Sequence, residues 1–277
     1  MIELWPINTK SQGQSAITGA AILECIVNLY DSSQAKNPTC AAAFFHKKIT
    51  AAYRFTYTCL TDNSERDRLM PDKLITPYFG QWESPELIGQ FVRQELRSDE
   101  DPNWKDSGAE TAAEYAQWAR HICGMACLKM VLAAIHKEVH PTMHLMRLAK
   151  QYGGYIAEGD EIKGLIYAPF VVMIKEQFGL QAEVITPIEA QDIAAQLKTY
   201  DYFLASVHPT IRHPQDAPPK QGGHLVLVTQ ANNEQGITFH NPSGDRQENQ
   251  QNANVSIETF AQFFAGRGIG VVRRSIS

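Results

Sequence analysis

The segment from Ile122 to Ile135, ICGMACLKMVLAAI, constrains the fold more than any other part of this chain. Apart from Lys129, nearly every position carries an apolar or small side chain. A helix that is apolar on most of its faces has to be buried inside a domain. The sequence therefore predicts a central helix over about residues 123–137, with Pro141 limiting its extension.

The pattern after this helix is typical of an α+β domain, with helices first and most strands later. Helices are predicted over residues 143–151, 168–178, 189–198 and the segment IETFAQFFAG. Strands are predicted at GLQAEVI, residues 201–207, 224–230 and 236–241, and the closing IGVVRRSI. We expect residues 107–277 to form one α+β domain, with its central helix packed on an antiparallel sheet.

Residues 1–106 are predicted to form a small β-rich accessory domain. The stretch AILECIVNL is apolar and β-branched, and alternation around Tyr53, Phe55 and Tyr57 is typical of a strand. The acidic segment SDEDPNWKDSG, residues 98–108, is interpreted as the linker between the two domains. The aromatic residues of the accessory domain are expected to pack in its core or against the second domain: Trp5, Tyr78, Phe79 and Trp82.

Composition narrows the possible partners and the compartment. The net charge is −5 and no basic cluster is interleaved with aromatic residues, which argues against nucleic acid. No stretch approaches the roughly 20 apolar residues of a membrane span, and no secretory signal is visible. The odd cysteine count argues against a disulfide framework, so we expect a cytoplasmic protein. The five cysteines are Cys25, Cys40, Cys59, Cys123 and Cys127.

Cys123 stands where a helix would begin. The unpaired N–H groups of a helix start carry partial positive charge, which lowers the pKa of a thiol placed there. Gly124 next to it allows close approach of another backbone or of a substrate. Cys127 lies one turn further along and is expected to be a core residue. A zinc site with His121 lacks a second cysteine pair, so no metal or other cofactor is predicted.

His224 opens an apolar strand, and Asn241 closes the next one. A hairpin turn centred between Asn232 and Asn233 would place His224 opposite Asn241. The same register pairs Val226 with Phe239 and Val228 with Ile237, all on one face of the sheet. Directly opposed side chains lie about 5 Å apart, so the amide oxygen of Asn241 would hold one imidazole nitrogen. A thiol, an imidazole and an amide in this order favour a cysteine hydrolase or acyltransferase.

These residues also resemble a known family. QWARHICGMACLKMVL, GGHLVLV, FHNPSG and the closing FFAGRGIGV are similar to papain-like cysteine peptidases of the bacteriocin-leader-processing, double-glycine type, in their stand-alone form. The resemblance covers roughly residues 110–277. It implies a papain-like fold with Cys123 as nucleophile, His224 as base and then acid, and Asn241 as orienting residue. It also implies that Gln117, six residues before Cys123, helps to form the oxyanion hole.

The chain departs from that family at several positions. Ile122 stands where the family usually has an acidic residue, and Met125 stands where a small residue or proline is common. Asn241 stands at a position that is often Asp. The leading hypothesis is a soluble peptidase acting on a peptide or protein. A transglutaminase-like acyltransferase using the same triad, and an inactive peptide-binding module, are the alternatives; the sequence does not indicate an oligomeric state.

Overall fold

The structure, a computed structural model, describes residues 75–159 and 161–273. The chain divides into two compact units, Met1–Lys73 and Leu74–Ser277, and all described residues belong to the second. The strands predicted around residues 21–29 and 53–57, the residue Trp5 and three of the cysteines lie outside the described residues.

The helices and strands predicted after residue 122 are present, with small shifts at their ends. The α-helices are α1 Ile88–Arg93, α2 Ala112–Ala119, α3 Cys123–Ile135, α4 Thr142–Gln151, α5 Tyr167–Phe178, α6 Ile193–Gln196 and α7 Ile257–Phe263. The strands are β1 Ile156–Glu158, β2 Glu161–Lys163, β3 Gln181–Ile185, β4 Tyr202–Val207, β5 His224–Asn232, β6 Gly236–His240, β7 Ala253–Val255 and β8 Phe264–Val272. The predicted mixture of helix and sheet is therefore confirmed.

Strands β3 to β8 form one antiparallel sheet in the order β3-β8-β4-β5-β6-β7, while β1 and β2 form a separate hairpin. Both faces of the central strands are covered. Leu204, Leu225 and Leu227 pack with α3, α4 and α5 on one face. Phe203 and Val226 pack with α7 on the other. The expected central helix is α3, which is buried from Gly124 to Ala134 and packs on β5.

The β5–β6 hairpin has a different register from the predicted one. Val228 pairs with Phe239 rather than Ile237, which is a shift of two residues, and nearer the turn Gln230 pairs with Thr238, a shift of three. The two shifts differ by one residue because Thr229, between Val228 and Gln230, forms a β-bulge in β5. A shift of three alone would put His224 and Asn241 on opposite faces. The bulge restores an even shift, so both side chains share one face, as predicted.

Residues 75–106 contain short helices and no strand, and they belong to the same compact unit as the sheet, Leu74–Ser277, so this division of the chain falls after Lys73 and not at the predicted residue 106. Trp82, Ile88 and Phe91 form a buried cluster with Tyr115 and Ala119 of α2. Trp82 stacks on Phe91 with ring centroids 5.6 Å apart. The aromatic side chains of this segment therefore pack against the second domain.

The charged residue of α3, Lys129, ties this segment to the central helix. Its Nζ lies 3.0 Å from Glu83 Oε2 and 3.2 Å from Thr142 Oγ1, and Lys129 is 4% exposed. Buried charges persist in proteins when they are paired and hydrogen-bonded. The one charge in an otherwise apolar segment thus has a partner in the part of the chain that sequence reasoning assigned to another domain.

The segment interpreted as a linker, residues 98–108, is instead built around the buried carboxylate of Asp101. Its two oxygens accept hydrogen bonds from Glu83 N, from Ser84 N and Oγ, from Asn103 N and from Tyr115 Oη. Short 3-10 helices, Ser98–Glu100 and Trp104–Ser107, flank it. An acidic, proline-containing composition indicated a solvated connection, but the acid serves as an internal acceptor.

Replacement of Asp101 by Asn is expected to destabilise the fold. The amide nitrogen of Asn is itself a donor and would face N–H and O–H groups that now donate to the Asp101 carboxylate. The free energy of unfolding should therefore fall by about 3 kcal/mol. Urea unfolding followed by circular dichroism measures the change. The control Asp99→Asn removes a solvent-accessible partner of Arg97 and should change the free energy of unfolding far less than Asp101→Asn. Equal effects of the two variants would contradict the assigned role of Asp101.

Candidate active site

Cys123 is the first residue of α3 and lines a cleft with a volume of about 810 Å³. The side chain is partly exposed, whereas the remainder of the helix is buried. His224, at the start of β5, lines the same cleft. Gly124 allows the close packing here, since a Cβ at that position would lie 2.6 Å from Leu165 and 3.1 Å from Leu225. The fold thus places the sulfur below an open groove.

The two described cysteines differ in their surroundings. Burial raises the pKa of Cys123, while hydrogen bonds from the backbone of Leu225, Gly124 and Cys123 itself act in the opposite direction. The low pKa expected for a thiol at a helix start is therefore not found in this state. Cys127 is buried, its Sγ donates to Leu225 O at 3.7 Å, and burial raises its pKa well above the usual value. Its predicted place in the core is confirmed.

His224 and Asn241 are joined by a hydrogen bond in the buried wall of the cleft. His224 Nε2 lies 2.9 Å from Asn241 Oδ1. Ser243 adds to the cluster, because its backbone N–H donates to Asn241 Oδ1 at 3.1 Å and its Oγ lies 3.1 Å from His224 Nε2. The predicted pairing of the imidazole with the amide is therefore present, although the strand register that led to it is not.

This arrangement determines which imidazole nitrogen carries the proton. A backbone N–H can only donate, so the Asn241 atom that faces Ser243 N has to be the amide oxygen. That oxygen can only accept, so His224 Nε2 has to carry hydrogen. In the neutral ring the other nitrogen, Nδ1, then holds a lone pair. A free lone pair on Nδ1 is what a general base requires.

His224 is neutral in this environment. Burial lowers the pKa of His224 from 6.5 to about 3, opposed by the hydrogen bond to Asn241 and assisted by the charges of Arg212 and His208. Cys123 and His224 are thus a neutral thiol and a neutral imidazole. No hydrogen bond joins these two described residues. In sites without substrate such contacts are often long and shorten when substrate binds.

The structure does not bring Gln117 into the cleft. It lies on α2, where Tyr115, Trp118 and Ala119 form the buried face, and a residue two positions after Tyr115 points away from that face. Gln117 is exposed, and its Nε2 donates to Gly159 O at 3.4 Å. The spacing of six residues before Cys123 therefore selects a residue on the outer surface of a helix.

A different glutamine, Gln81, lines the same cleft as Cys123 and was missed by sequence reasoning. It is 4% exposed; its Nε2 donates to Ala119 O at 3.0 Å, and its Oε1 is buried without a partner. Its backbone N–H donates to Pro242 O at 2.8 Å, directly after Asn241. The sequence signal that could have identified Gln81 is its position in the aromatic segment TPYFGQW, because these aromatic residues were expected to pack in a core or against the domain that contains Cys123.

No family model matches the chain, and no curated protein matches it. Among solved structures, the chain is similar to the peptidase domain of Streptococcus ComA, a bi-functional ABC transporter involved in a quorum sensing pathway. The match has 18% identity and a TM-score of 0.40, and covers 56% of this chain and 93% of that one. A likeness of this size does not identify the activity, which has to follow from the side chains.

The described residues include no single helix with the length and apolar character to cross a membrane.

The buried neutral imidazole of His224 gives stability a pH dependence. The unfolded chain binds this proton near pH 6.5, but the folded chain binds it only near pH 3. The free energy of unfolding should therefore fall as the pH drops through that window, by up to about 1.4 kcal/mol per pH unit from this group. Urea unfolding of the wild type and of His224→Gln between these pH values measures the difference in slope. His136→Gln, at an exposed position, should keep the wild-type slope, and a His224→Gln slope equal to that of the wild type would refute the assignment.

Proposed function

We propose that the protein is a cysteine peptidase that hydrolyses a peptide bond with Cys123 as nucleophile, His224 as general base and acid, and Asn241 as orienting residue. The observation that carries the proposal is the hydrogen bond from His224 Nε2 to Asn241 Oδ1, in the wall of the cleft that Cys123 lines at the start of α3. A thiol, a base with a fixed tautomer and an open groove are the parts that thiol-dependent acyl transfer requires.

Attack begins from the neutral pair. As the sulfur bonds to the peptide carbonyl carbon, the thiol proton passes to His224 Nδ1, the nitrogen whose lone pair is free. The imidazolium that forms keeps its Nε2–H on Asn241 Oδ1, and the amide dipole stabilises the new charge. Burial of the ring makes this stabilisation stronger than it would be in water.

The carbonyl oxygen becomes an oxyanion, which needs hydrogen-bond donors. The backbone N–H of Cys123 at the start of α3 is one candidate. For the second donor we propose Nε2 of Gln81 in place of Gln117. Its support is its burial in the wall of the cleft that Cys123 also lines, together with two hydrogen bonds that hold it there, from Nε2 to Ala119 O and from the backbone N–H to Pro242 O.

The tetrahedral intermediate then collapses. The carbon–nitrogen bond breaks, His224 Nδ1–H donates its proton to the leaving amine, and an acyl group remains on Cys123 as a thioester. A water molecule gives one proton to Nδ1 and attacks the thioester, which releases a carboxylic acid and returns the proton to the thiol. An amine in place of this water would give transfer instead of hydrolysis.

Incubation of the protein with a mixed peptide library, followed by mass spectrometry of the products, tests the proposal. The wild type should generate new peptide termini, while Cys123→Ala should generate none and Cys127→Ser should keep activity, provided that both variants fold. A parallel reaction with a primary amine distinguishes hydrolysis from transfer, since transfer gives amide products of added mass. Intact library in the wild-type sample would contradict peptidase activity.

The two glutamines provide a matched test of the oxyanion donor. Gln81→Glu replaces the amide donor with a carboxylate of the same size and should lower kcat/KM by about a hundredfold or more. Gln117→Glu, on the exposed face of α2, should leave kcat/KM within about twofold of the wild type. Thermal unfolding of both variants checks that each is folded. The reverse order of effects would restore Gln117 to the site and remove Gln81 from it.

A further inference from the structure

The cleft that contains Cys123 has a strongly one-sided charge. The chain as a whole carries a net charge of −5. The residues that line the cleft nevertheless include three arginines and three histidines and no aspartate or glutamate. These six are Arg120, His121, Arg212, His213, His224 and Arg267. On an acidic protein, a cleft lined by arginines and by no carboxylate favours a negatively charged ligand.

The arginines of the cleft also lack the ion pairs that the others have. Among the arginines in residues 75–159 and 161–273, those outside the cleft each have a carboxylate within 4.0 Å. These are Arg93, Arg97, Arg147, Arg246 and Arg273. Within the same residues, no such pair forms at Arg120, Arg212 or Arg267. The arginines without a protein carboxylate are thus those that line the cleft.

Two of these guanidinium groups are held in place by uncharged partners. Arg120 donates from Nη2 to Phe91 O at 2.5 Å and lies over the Trp82 ring at 5.8 Å. Arg212 donates from Nε to Pro209 O at 2.9 Å and from Nη2 to Ser243 Oγ at 3.0 Å, and its Nη1 is buried without a partner. Neutral acceptors and an aromatic face orient a guanidinium without neutralising its charge.

The third arginine stands at a different part of the wall. Arg267 is exposed on β8, and its Nη2 would lie 3.5 Å from a Cβ at Gly222, just before His224. Asp245 lies close enough for its charge to act on Arg212, but it is not a lining residue and its Oδ2 lies 3.2 Å from His213 Nε2. Positive charge from Arg120 and Arg267, which both line the cleft, is therefore available to a ligand there.

We infer that the cleft binds substrates through carboxylates close to the scissile bond, with Arg120 and Arg267 as the direct contacts and the half-buried Arg212 as a contributor to the positive field. The inference rests on the proposed function, since it names the substrate class of the same site. Guanidinium groups bind carboxylates with two parallel hydrogen bonds, which gives both affinity and orientation. The carboxylates come either from acidic side chains or from the free end of a peptide.

Binding to the Cys123→Ala variant tests the inference without any need for turnover. The probes are short rhodamine-labelled peptide pools with common random positions, and fluorescence anisotropy gives Kd. The first pool contains glutamates and an amidated end, the second has glutamine at those positions, and the third is the glutamine pool with a free carboxylate end. At low salt, the first pool should bind at least about tenfold more tightly than the second.

The arginine variants identify the contacts. In the Cys123→Ala background, Arg120→Gln and Arg267→Gln should each weaken binding of the acidic pool about tenfold, with little effect on the glutamine pool. Arg97→Gln, which lies outside the cleft, is the matched control and should change neither. The preference should decrease at high salt, because exposed charges are screened. Tighter binding of the third pool with no preference for the first would assign the carboxylate to the peptide end.

Several outcomes overturn the inference. Equal affinity for the three pools, or equal losses in Arg97→Gln and the cleft variants, would remove the carboxylate site. Displacement of the acidic pool by a single-stranded oligonucleotide at lower concentration than by the peptide itself would assign the charge to another ligand. Hydrolysis of neutral and acidic peptides at the same rate would refute this inference alone. Selective binding without hydrolysis by the wild type would instead refute the proposed function.

Discussion

The hydrogen bond from the backbone N–H of Ser243 to the side-chain oxygen of Asn241 is the interaction on which the site depends. Because that donor cannot act as an acceptor, it fixes the amide orientation, the amide fixes the proton on His224 Nε2, and the lone pair is left on Nδ1. Desolvation keeps the ring neutral and the lone pair available. One main-chain group thus determines the protonation of a side chain two hydrogen bonds away.

The corner that follows β6 joins parts of the chain that are far apart in sequence. Asn241 O accepts from Tyr78 Oη at 2.9 Å, and Pro242 O accepts from Gln81 N at 2.8 Å. The peptide groups that carry the orienting amide therefore also position the segment with Gln81. Asp101 and the Lys129–Glu83 pair attach the same segment to α2 and α3. Gln81, Trp82 and Val92 line the cleft, so residues 75–106 form part of its wall.

Sequence reasoning succeeded where a local run of side chains decides the outcome. Apolar runs predicted α3 and the strands β4 and β5, and the order of Cys123, His224 and Asn241 indicated residues that the structure places in or beside one cleft. It failed where an irregular or long-range interaction decides. A bulge at Thr229 has no periodic signature, and an acidic segment such as 98–108 has the same composition whether its carboxylate faces water or five internal donors. Gln81 lies far from Cys123 in sequence, so local spacing could only favour Gln117.

The bulge at Thr229 makes the geometry of the site sensitive to strand pairing at a distance. Thr229 is five positions from His224, or about 17 Å along an extended strand. If Thr229 instead entered the ladder opposite Phe239, with the turn pairing unchanged, the inner end of β5 would present its opposite face relative to β6. The imidazole would then emerge on the side of α3, and the amide would remain on the side of α7. Every residue of the triad would still be present in the sequence, yet the acceptor of the Nε2 proton would be on the wrong side of the sheet.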